Sequence, residues 1–294
     1  MANAPKIGFI GLGLMGQAFT KRLVECGFAV TGYDIVADKV AQAAKHGVKP
    51  SACPADVARA CDIILVCVTS THAVEEAVLG PGGVAEAPGK GKVLVDHSTT
   101  EIGETKRFAE ELRKRAGMAW VDAPVSGGPT AAAAGTLAIM AGGDDAAIRQ
   151  VEPVMAKLAG RFTHMGPVGA GQVTKMINQV LVLTNYAVIA EALRLGEKCG
   201  IDVSRIPEAL ATGHAGSNLL KDLTPRMVSR DFAPRGFARQ VLKDLDMVHD
   251  LSKEMKAPTP MADQAASLFR ILVARGHSEL DGSAIMKLYL DEPV

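Results

Sequence analysis

The chain has 294 residues, enough for two domains with separate cores. Apolar residues make up 48% and charged residues 22%, the proportions of a globular protein. Lysine plus arginine equals aspartate plus glutamate at 32 each, so no basic field favours nucleic acid, no acidic tail is present, and no apolar run reads as a membrane span.

The first four residues are small or polar and carry no signal. Lys6–Ile10 form a short apolar run suited to a buried parallel strand. Gly11, Gly13 and Gly16 follow in G-x-G-x-x-G spacing. The first permits a tight turn, the second lets the backbone approach a pyrophosphate, and the third lets a helix sit close to the strand. Leu14 and Met15 go with the glycines as cofactor contacts, because the helix starting near Leu14 points its free N–H groups at phosphates. A second strand, Phe28–Tyr33, ends in Asp34, about 20 residues on, where an acidic group binds ribose hydroxyls. Asp34 favours NAD over NADP: it would repel a 2′-phosphate, and Ile35, Val36 and Ala37 bring no arginine. A glycine turn with no ligand and a surface Asp34 is the competing explanation, and it requires four features to coincide by accident.

Strands and helices then alternate. A helix covers 37–46, and Val48 restarts an extended segment. Ile63–Val68 is the most apolar short run, and Val68 at its end counts as a cofactor contact. Val93–Asp96 is a strand, Glu101–Gly117 an amphipathic helix, and Ala119–Val125 a further strand. Thr136–Gly143 and Arg161–Gly166 bracket a helix over 145–159. This predicts an α/β domain with a mostly parallel, doubly wound sheet.

After the glycine-rich stretch 166–171 the pattern becomes helical, with prolines 207, 225, 234, 258 and 260 as breaks. Gln172–Cys199 predicts a helix of about 40 Å, apolar almost all round and hence buried on every side. The domains are set at 1–167 and 168–294, the second all-helical and joined by this helix. Such a helix predicts a homodimer or homotetramer; a monomer whose other helices wrap it would explain the pattern equally.

Three places could carry chemistry. Lys175 lies one turn into the long helix, and Asn178 and Gln179 share its face at i+3 and i+4. Partial burial would tune such a lysine for acid–base work; a lysine snorkelling to solvent would look the same in sequence. Ser126-Gly127-Gly128 follows a strand end and suits a carboxylate, although alone it reads as an ordinary turn. His97-Ser98-Thr99-Thr100 follows another strand end. There Thr99 or Ser98 could contact the nicotinamide ribose, and His97 reads as a structural histidine. Lys243-Asp244 sits among apolar neighbours and reads as a surface ion pair. No histidine spacing suits a metal, and none is expected. The five cysteines, 26, 53, 61, 67 and 199, are scattered with no C-x-x-C pair, which predicts buried thiols in a reducing compartment. No basic-then-apolar leader opens the sequence, so a cytoplasmic location is expected.

The strings IGFIGLGLMG, DAPVSGG (Asp122–Gly128), GAGQVTKMINQ (Gly169–Gln179) and LKDL (Leu242–Leu245) occur in this order along essentially the whole chain. Together they resemble the β-hydroxyacid dehydrogenases, which include 3-hydroxyisobutyrate dehydrogenase and tartronate semialdehyde (2-hydroxy-3-oxopropionate) reductase. The resemblance implies a Rossmann domain plus a helical domain. It also implies catalysis by Lys175, substrate-carboxylate contacts from Ser126, Gly127 and Gly128, a cofactor contact from Thr99, and a cofactor or substrate-side contact from Lys243. Asn178 is expected to position Lys175 or the substrate, and Gln179 to contact the substrate. The implied partner is a small hydroxy acid. Asn178-Gln179 replaces the two asparagines of many members and resembles the reductase branch, as does Gly213–Leu219 (GHAGSNL). Thr69-Ser70-Thr71 departs from the usual Leu-Pro-Asn. Against this first choice stand a 3-hydroxyisobutyrate or threonate dehydrogenase and a non-catalytic dinucleotide-binding module. An imine reductase is disfavoured by Lys175, and a 6-phosphogluconate dehydrogenase by its much longer helical domain.

Overall fold

A computed structural model describes residues 4–290. Its contacts divide the chain into two compact units, one ending at Lys175 and the other beginning at Met176. The division falls inside the long helix, whereas composition alone draws it at 167.

The first unit contains β1 (Ile7–Ile10), α1 (Leu14–Glu25), β2 (Val30–Tyr33), α2 (Ala37–Ala44), β3 (Lys49–Pro50), α3 (Pro54–Ala60), β4 (Ile63–Val66) and α4 (Thr71–Leu79). It continues with β5 (Val93–Asp96), α5 (Ile102–Ala116), β6 (Ala119–Asp122), β7 (Val125–Ser126), α6 (Gly128–Ala134), β8 (Leu137–Gly143), α7 (Asp145–Leu158) and β9 (Ala159–Gly166). β1, β4 and β5 are buried at every position, as parallel strands covered on both faces must be. The strands β3-β2-β1-β4-β5-β6 run parallel in that spatial order. β8 pairs antiparallel with β6 and β7, and β9 lies parallel beside β8. The order reverses between β1 and β4, and this opens a crevice outside their carboxyl ends.

Alternate residues of the strands feed two cores. Phe9, Phe19, Leu65 and Val95 lie in one. Ile64, Leu94, Phe108 and Trp120 lie in the other. Trp120, the chain's single tryptophan, tilts against Phe108 with ring centroids 6.3 Å apart.

Local chemistry explains where this unit departs from the sequence reading. Two short helices were not foreseen. α3 opens on Pro54, which loses no helical bond in the first turn. α4 is capped by Ser70, whose hydroxyl accepts the Ala73 N–H at 3.1 Å. Thr71 Oγ1 accepts the Glu101 N–H at 3.1 Å, so the Thr-Ser-Thr departure builds a helix start. The strand expected over 119–125 is two strands, because Pro124 between them has no N–H for a ladder.

The second unit holds the remainder of α8 (Ala170–Lys198), then α9 (Ile206–Ala209), α10 (Asn218–Ser229), α11 (Ala238–Met255), α12 (Pro260–Leu272) and a 3-10 stretch, Gly282–Tyr289. Pro225 sits inside α10 and so is not a break, whereas Pro207 and Pro260 sit in the first turns of α9 and α12 and mark where those helices begin. α8 is not buried on every side. Met176, Leu183, Ala187, Ala190 and Leu193 are buried, while Ile177, Leu181, Val188 and Leu195 are exposed, Leu195 to 67%. Intervals of four and seven place the exposed set on one stripe. α8 is long enough, and over an 18-residue window apolar enough at a mean hydropathy of 1.4, to cross a membrane by length and composition alone, where the sequence reading found no such run; the core helix of a globular domain meets the same two conditions. The thiols are likewise mixed: Cys61 is buried, Cys26, Cys53 and Cys67 are half-buried, and Cys199 is exposed.

Candidate active site

The glycine turn between β1 and α1 is shaped by three separate constraints. Gly11 has φ +96°, and a Cβ there would lie 2.2 Å from the Cys67 carbonyl oxygen. A Cβ on Gly16 would lie 2.0 Å from the Gly11 oxygen, so only glycine lets α1 sit this close. A Cβ on Gly13 would meet nothing within 4 Å. α1 has no side-chain cap, and Leu14 and Met15 form its first turn. The open space at Gly13 and the uncapped amides fit a dinucleotide pyrophosphate.

Asp34 is turned into this loop. Its Oδ2 accepts the Leu12 N–H at 2.7 Å, and its Oδ1 accepts the Val36 N–H at 2.8 Å. Each oxygen keeps a second lone pair for a ribose hydroxyl. Lys39 brings its ammonium to 3.9 Å from Oδ1, a cation the sequence reading had not placed there.

At the ends of β4 and β5, Val68 and Thr99 are half-buried. The Val68 N–H donates to Ser98 Oγ at 3.0 Å. Ser98 is buried with its hydroxyl engaged, which leaves Thr99 as the cofactor candidate of the two. His97 is structural in its surroundings. It is buried, bonded through Nδ1 to the Ala123 oxygen at 2.7 Å, and stacked on Phe19 at 4.9 Å. Burial lowers its pKa to about 4, so it is neutral at pH 7. Beside it, burial raises Asp96 to about 7 against the pull of its Ser98 hydrogen bonds. Burial also raises Asp122, at the end of β6, to about 6 against backbone bonds from Gly169 and Gln172.

Lys175 is only 8% exposed, so it does not snorkel. Its Nζ donates to the Val125 carbonyl oxygen at 2.8 Å. Val125 directly precedes Ser126, Gly127 (φ +127°) and Gly128 (φ +66°). The ammonium therefore sits beside a turn whose two glycines adopt backbone angles that L side chains rarely reach.

In the helical unit the candidate groups form a chain of side chains. Asn178 Nδ2 donates to Gln179 Oε1 at 2.8 Å, and buried Gln179 donates through Nε2 to Asp244 Oδ2 at 2.5 Å. Lys243 Nζ pairs with Asp244 Oδ1 at 3.0 Å. Gly213–Leu219 contributes a helix cap: Ser217 Oγ accepts the Leu220 N–H at 3.0 Å. Among the described residues no cluster of three or more His, Cys, Asp or Glu could hold a metal.

Residues 6–166 match the family described as the NAD binding domain of 6-phosphogluconate dehydrogenase. Residues 169–289 match the family described as the NAD-binding domain of NADP-dependent 3-hydroxyisobutyrate dehydrogenase. The chain belongs to the β-hydroxyacid dehydrogenase family. It is similar to the 2-hydroxy-3-oxopropionate reductase of Escherichia coli K12, with 37% identity over 96% of each chain. It is also similar to the 2-(hydroxymethyl)glutarate dehydrogenase of Eubacterium barkeri, with 35% identity over 98% of this chain and 96% of that one. The crystal structure of 3-hydroxyisobutyrate dehydrogenase from Salmonella typhimurium superposes with a TM-score of 0.88 at 27% identity, over 96% of this chain and 99% of that chain. The protein is thus an oxidoreductase acting on a CH–OH group with NAD(P), and the non-catalytic module is excluded.

Sequence reasoning gave no role to Asp96, Gln172 or Asp122, which it quoted only as strand, helix or motif positions, and it read Asp244 as half of a surface ion pair. The available sign was polar residues placed beside apolar runs. The partners of Asp96, Gln172 and Asp122 lie 2 to 74 positions away, beyond any local pattern for most of them.

Proposed function

We propose that this family member interconverts a small β-hydroxy carboxylic acid and its semialdehyde or keto form with NAD, Lys175 serving as general acid/base. One observation carries the reading: a buried lysine hydrogen-bonded to the residue that precedes Ser126-Gly127-Gly128. The Ser-Gly-Gly turn holds the substrate carboxylate through Ser126 and the backbone N–H groups of Gly127 and Gly128. In oxidation the neutral amine form of Lys175 takes the hydroxyl proton and becomes the ammonium, and in reduction the ammonium gives that proton to the carbonyl oxygen. When bound, the nicotinamide supplies the hydride exchange. Gly11, Gly13, Leu14, Met15, Gly16, Asp34, Val68, Thr99 and Lys243 are the cofactor-facing residues of this proposal. Asn178 orients Lys175 or the substrate oxygen, and Gln179 faces the substrate.

Lys175→Ala tests the reading. Turnover should fall by about 10²–10⁴-fold while NAD affinity stays within about twofold. Near-normal kcat, or a parallel loss of NAD binding, refutes it.

The first substrate is 2-hydroxy-3-oxopropionate and its reduced form glycerate. The Asn178-Gln179 pair and the 37% identity to the reductase support this choice. 3-Hydroxyisobutyrate and threonate are the second reading, and a panel of hydroxy acids scored by NADH formation ranks them. Asp34 supports NAD. Lys39 beside it favours NADP as the alternative, and a higher kcat/KM with NADPH would decide for that cofactor. We also propose a homodimer or homotetramer formed through the exposed stripe of α8, since an uncovered apolar face needs a neighbour. Light scattering at the 30.7 kDa monomer mass would contradict it.

A further inference from the structure

The start of α8 is fastened to the sheet by two buried residues, neither of which the proposed chemistry uses. Asp122, at the carboxyl end of β6, accepts the Gly169 N–H at 2.7 Å through Oδ1 and the Gln172 N–H at 3.0 Å through Oδ2. One carboxylate thus takes up two of the amides that a helix start leaves without partners. It also puts negative charge at the positive end of the helix dipole. The approach is close. A Cβ on Gly171 would lie 2.5 Å from the Asp122 and Met140 carbonyl oxygens, and one on Gly142 would lie 2.7 Å from Asp122 Oδ1.

Gln172 is fully buried and makes the second attachment. Its Oε1 accepts the Thr100 N–H at 3.2 Å, and its Nε2 donates to the Ser98 oxygen at 2.8 Å. Asp96 holds that same loop by accepting the Ser98 N–H at 2.9 Å. The helix start is therefore bound to the ends of two adjacent strands, β5 and β6. Lys175 follows Gln172 by three residues, less than one turn, and its Nζ then reaches the Val125 oxygen.

We propose that Asp122 and Gln172 are positioning residues that set the axial and rotational placement of α8, and through it the reach of Lys175 to the substrate oxygen. The proposal rests on the acid–base reading of Lys175. A helix start shifted by about 1 Å carries the ammonium with it, and a misplacement of that size costs about 10²-fold in rate. Asp122 bonds none of the residues assigned to the cofactor, so cofactor affinity is independent of it. Gln172 bonds the main chain on both sides of Thr99, so its loss reaches the cofactor side as well.

The test compares Asp122→Asn and Gln172→Met with the wild-type enzyme. Asparagine keeps one acceptor and sets an NH2 group against the second helix amide. Methionine keeps the bulk of Gln172 and removes both side-chain bonds. The expected result for each is a kcat lowered about 10–100-fold; in Asp122→Asn the NAD dissociation constant stays within about twofold of wild type. Amide hydrogen exchange should speed up in residues 169–176 and stay unchanged in β1 and α1. If one variant fails to fold, the other carries the same comparison. Wild-type kcat in a folded variant, or kcat and NAD affinity falling together in Asp122→Asn, overturns the proposal. Lys175→Ala is run alongside. If that variant keeps its turnover, the acid–base reading fails; if it is inactive while both positioning variants are normal, only the present inference fails.

Discussion

The candidate polar groups of the sheet unit are anchored to the main chain, whereas those of the helical unit are anchored to one another. In the sheet unit the groups are the uncapped amides of α1, the Gly127-Gly128 turn, and carboxylates such as Asp34 and Asp122 whose oxygens hold main-chain N–H groups. In the helical unit Asn178, Gln179, Asp244 and Lys243 hold one another in a row. Backbone groups fixed by strand ends cost little to hold in place. A row of rotatable side chains must be ordered bond by bond. The polar groups of the first unit therefore have a rigid base, and those of the second depend on one another's order.

The sharpest way to break this contrast is Gly13→Val. No protein atom lies within 4 Å of the position a Cβ would take, so the fold should survive. The added side chain occupies the space of the pyrophosphate. NAD affinity should drop about 100-fold or more, about 2.7 kcal/mol, by fluorescence titration, with an unchanged melting curve. Retained NAD affinity would show that the turn does not face the cofactor.

Asp244→Ala probes the opposite case. It removes the acceptor of the buried Gln179 Nε2 bond and the Lys243–Asp244 ion pair. The expected cost is about 1–3 kcal/mol in urea unfolding, with kcat/KM for the hydroxy acid down about tenfold. A stability loss with unchanged kcat/KM would make the row purely structural.

The smallest effect concerns pH. The Asp96 carboxyl titrates near 7 in the fold against the ordinary 3.8. A raised carboxyl pKa means that the folded state binds the proton first, so stability is gained as pH falls through 7 and lost as it rises through 7. Between pH 8 and 6.5 unfolding free energy should rise by about 1 kcal/mol on acidification. Below 6.5 His97 opposes this gain, because its lowered pKa keeps it neutral in the fold while the unfolded chain takes up the proton. In Asp96→Asn the rise between pH 8 and 6.5 should flatten; an unchanged slope would assign it to another group.

What the sequence revealed follows the same division. Gly11 and Gly16 are legible because only glycine tolerates that backbone angle and those contacts, and Gly13 because its spacing completes the motif. The central strands are legible because strands buried on both faces are apolar at every position. Gln172 was not legible: a glutamine's partners depend on tertiary placement, and Ser98 lies 74 positions away. The burial of α8 was misjudged, because an apolar composition reports what a helix could cover and leaves open what covers it. The Ser70 cap and Pro54 start of two unforeseen helices were present as signals, but helices of seven and nine residues show too few turns for a periodic pattern.

Trp120 has a practical consequence. It is the only indole in the chain, and it lies buried in β6 two residues before Asp122. Indole emission therefore reports on the sheet unit alone, and the helical unit is dark at that wavelength. Far-ultraviolet circular dichroism, in contrast, is weighted toward the helices of both units. Recording the two signals on one sample as denaturant is added separates loss of the sheet from loss of the helices, with no label attached and no residue changed.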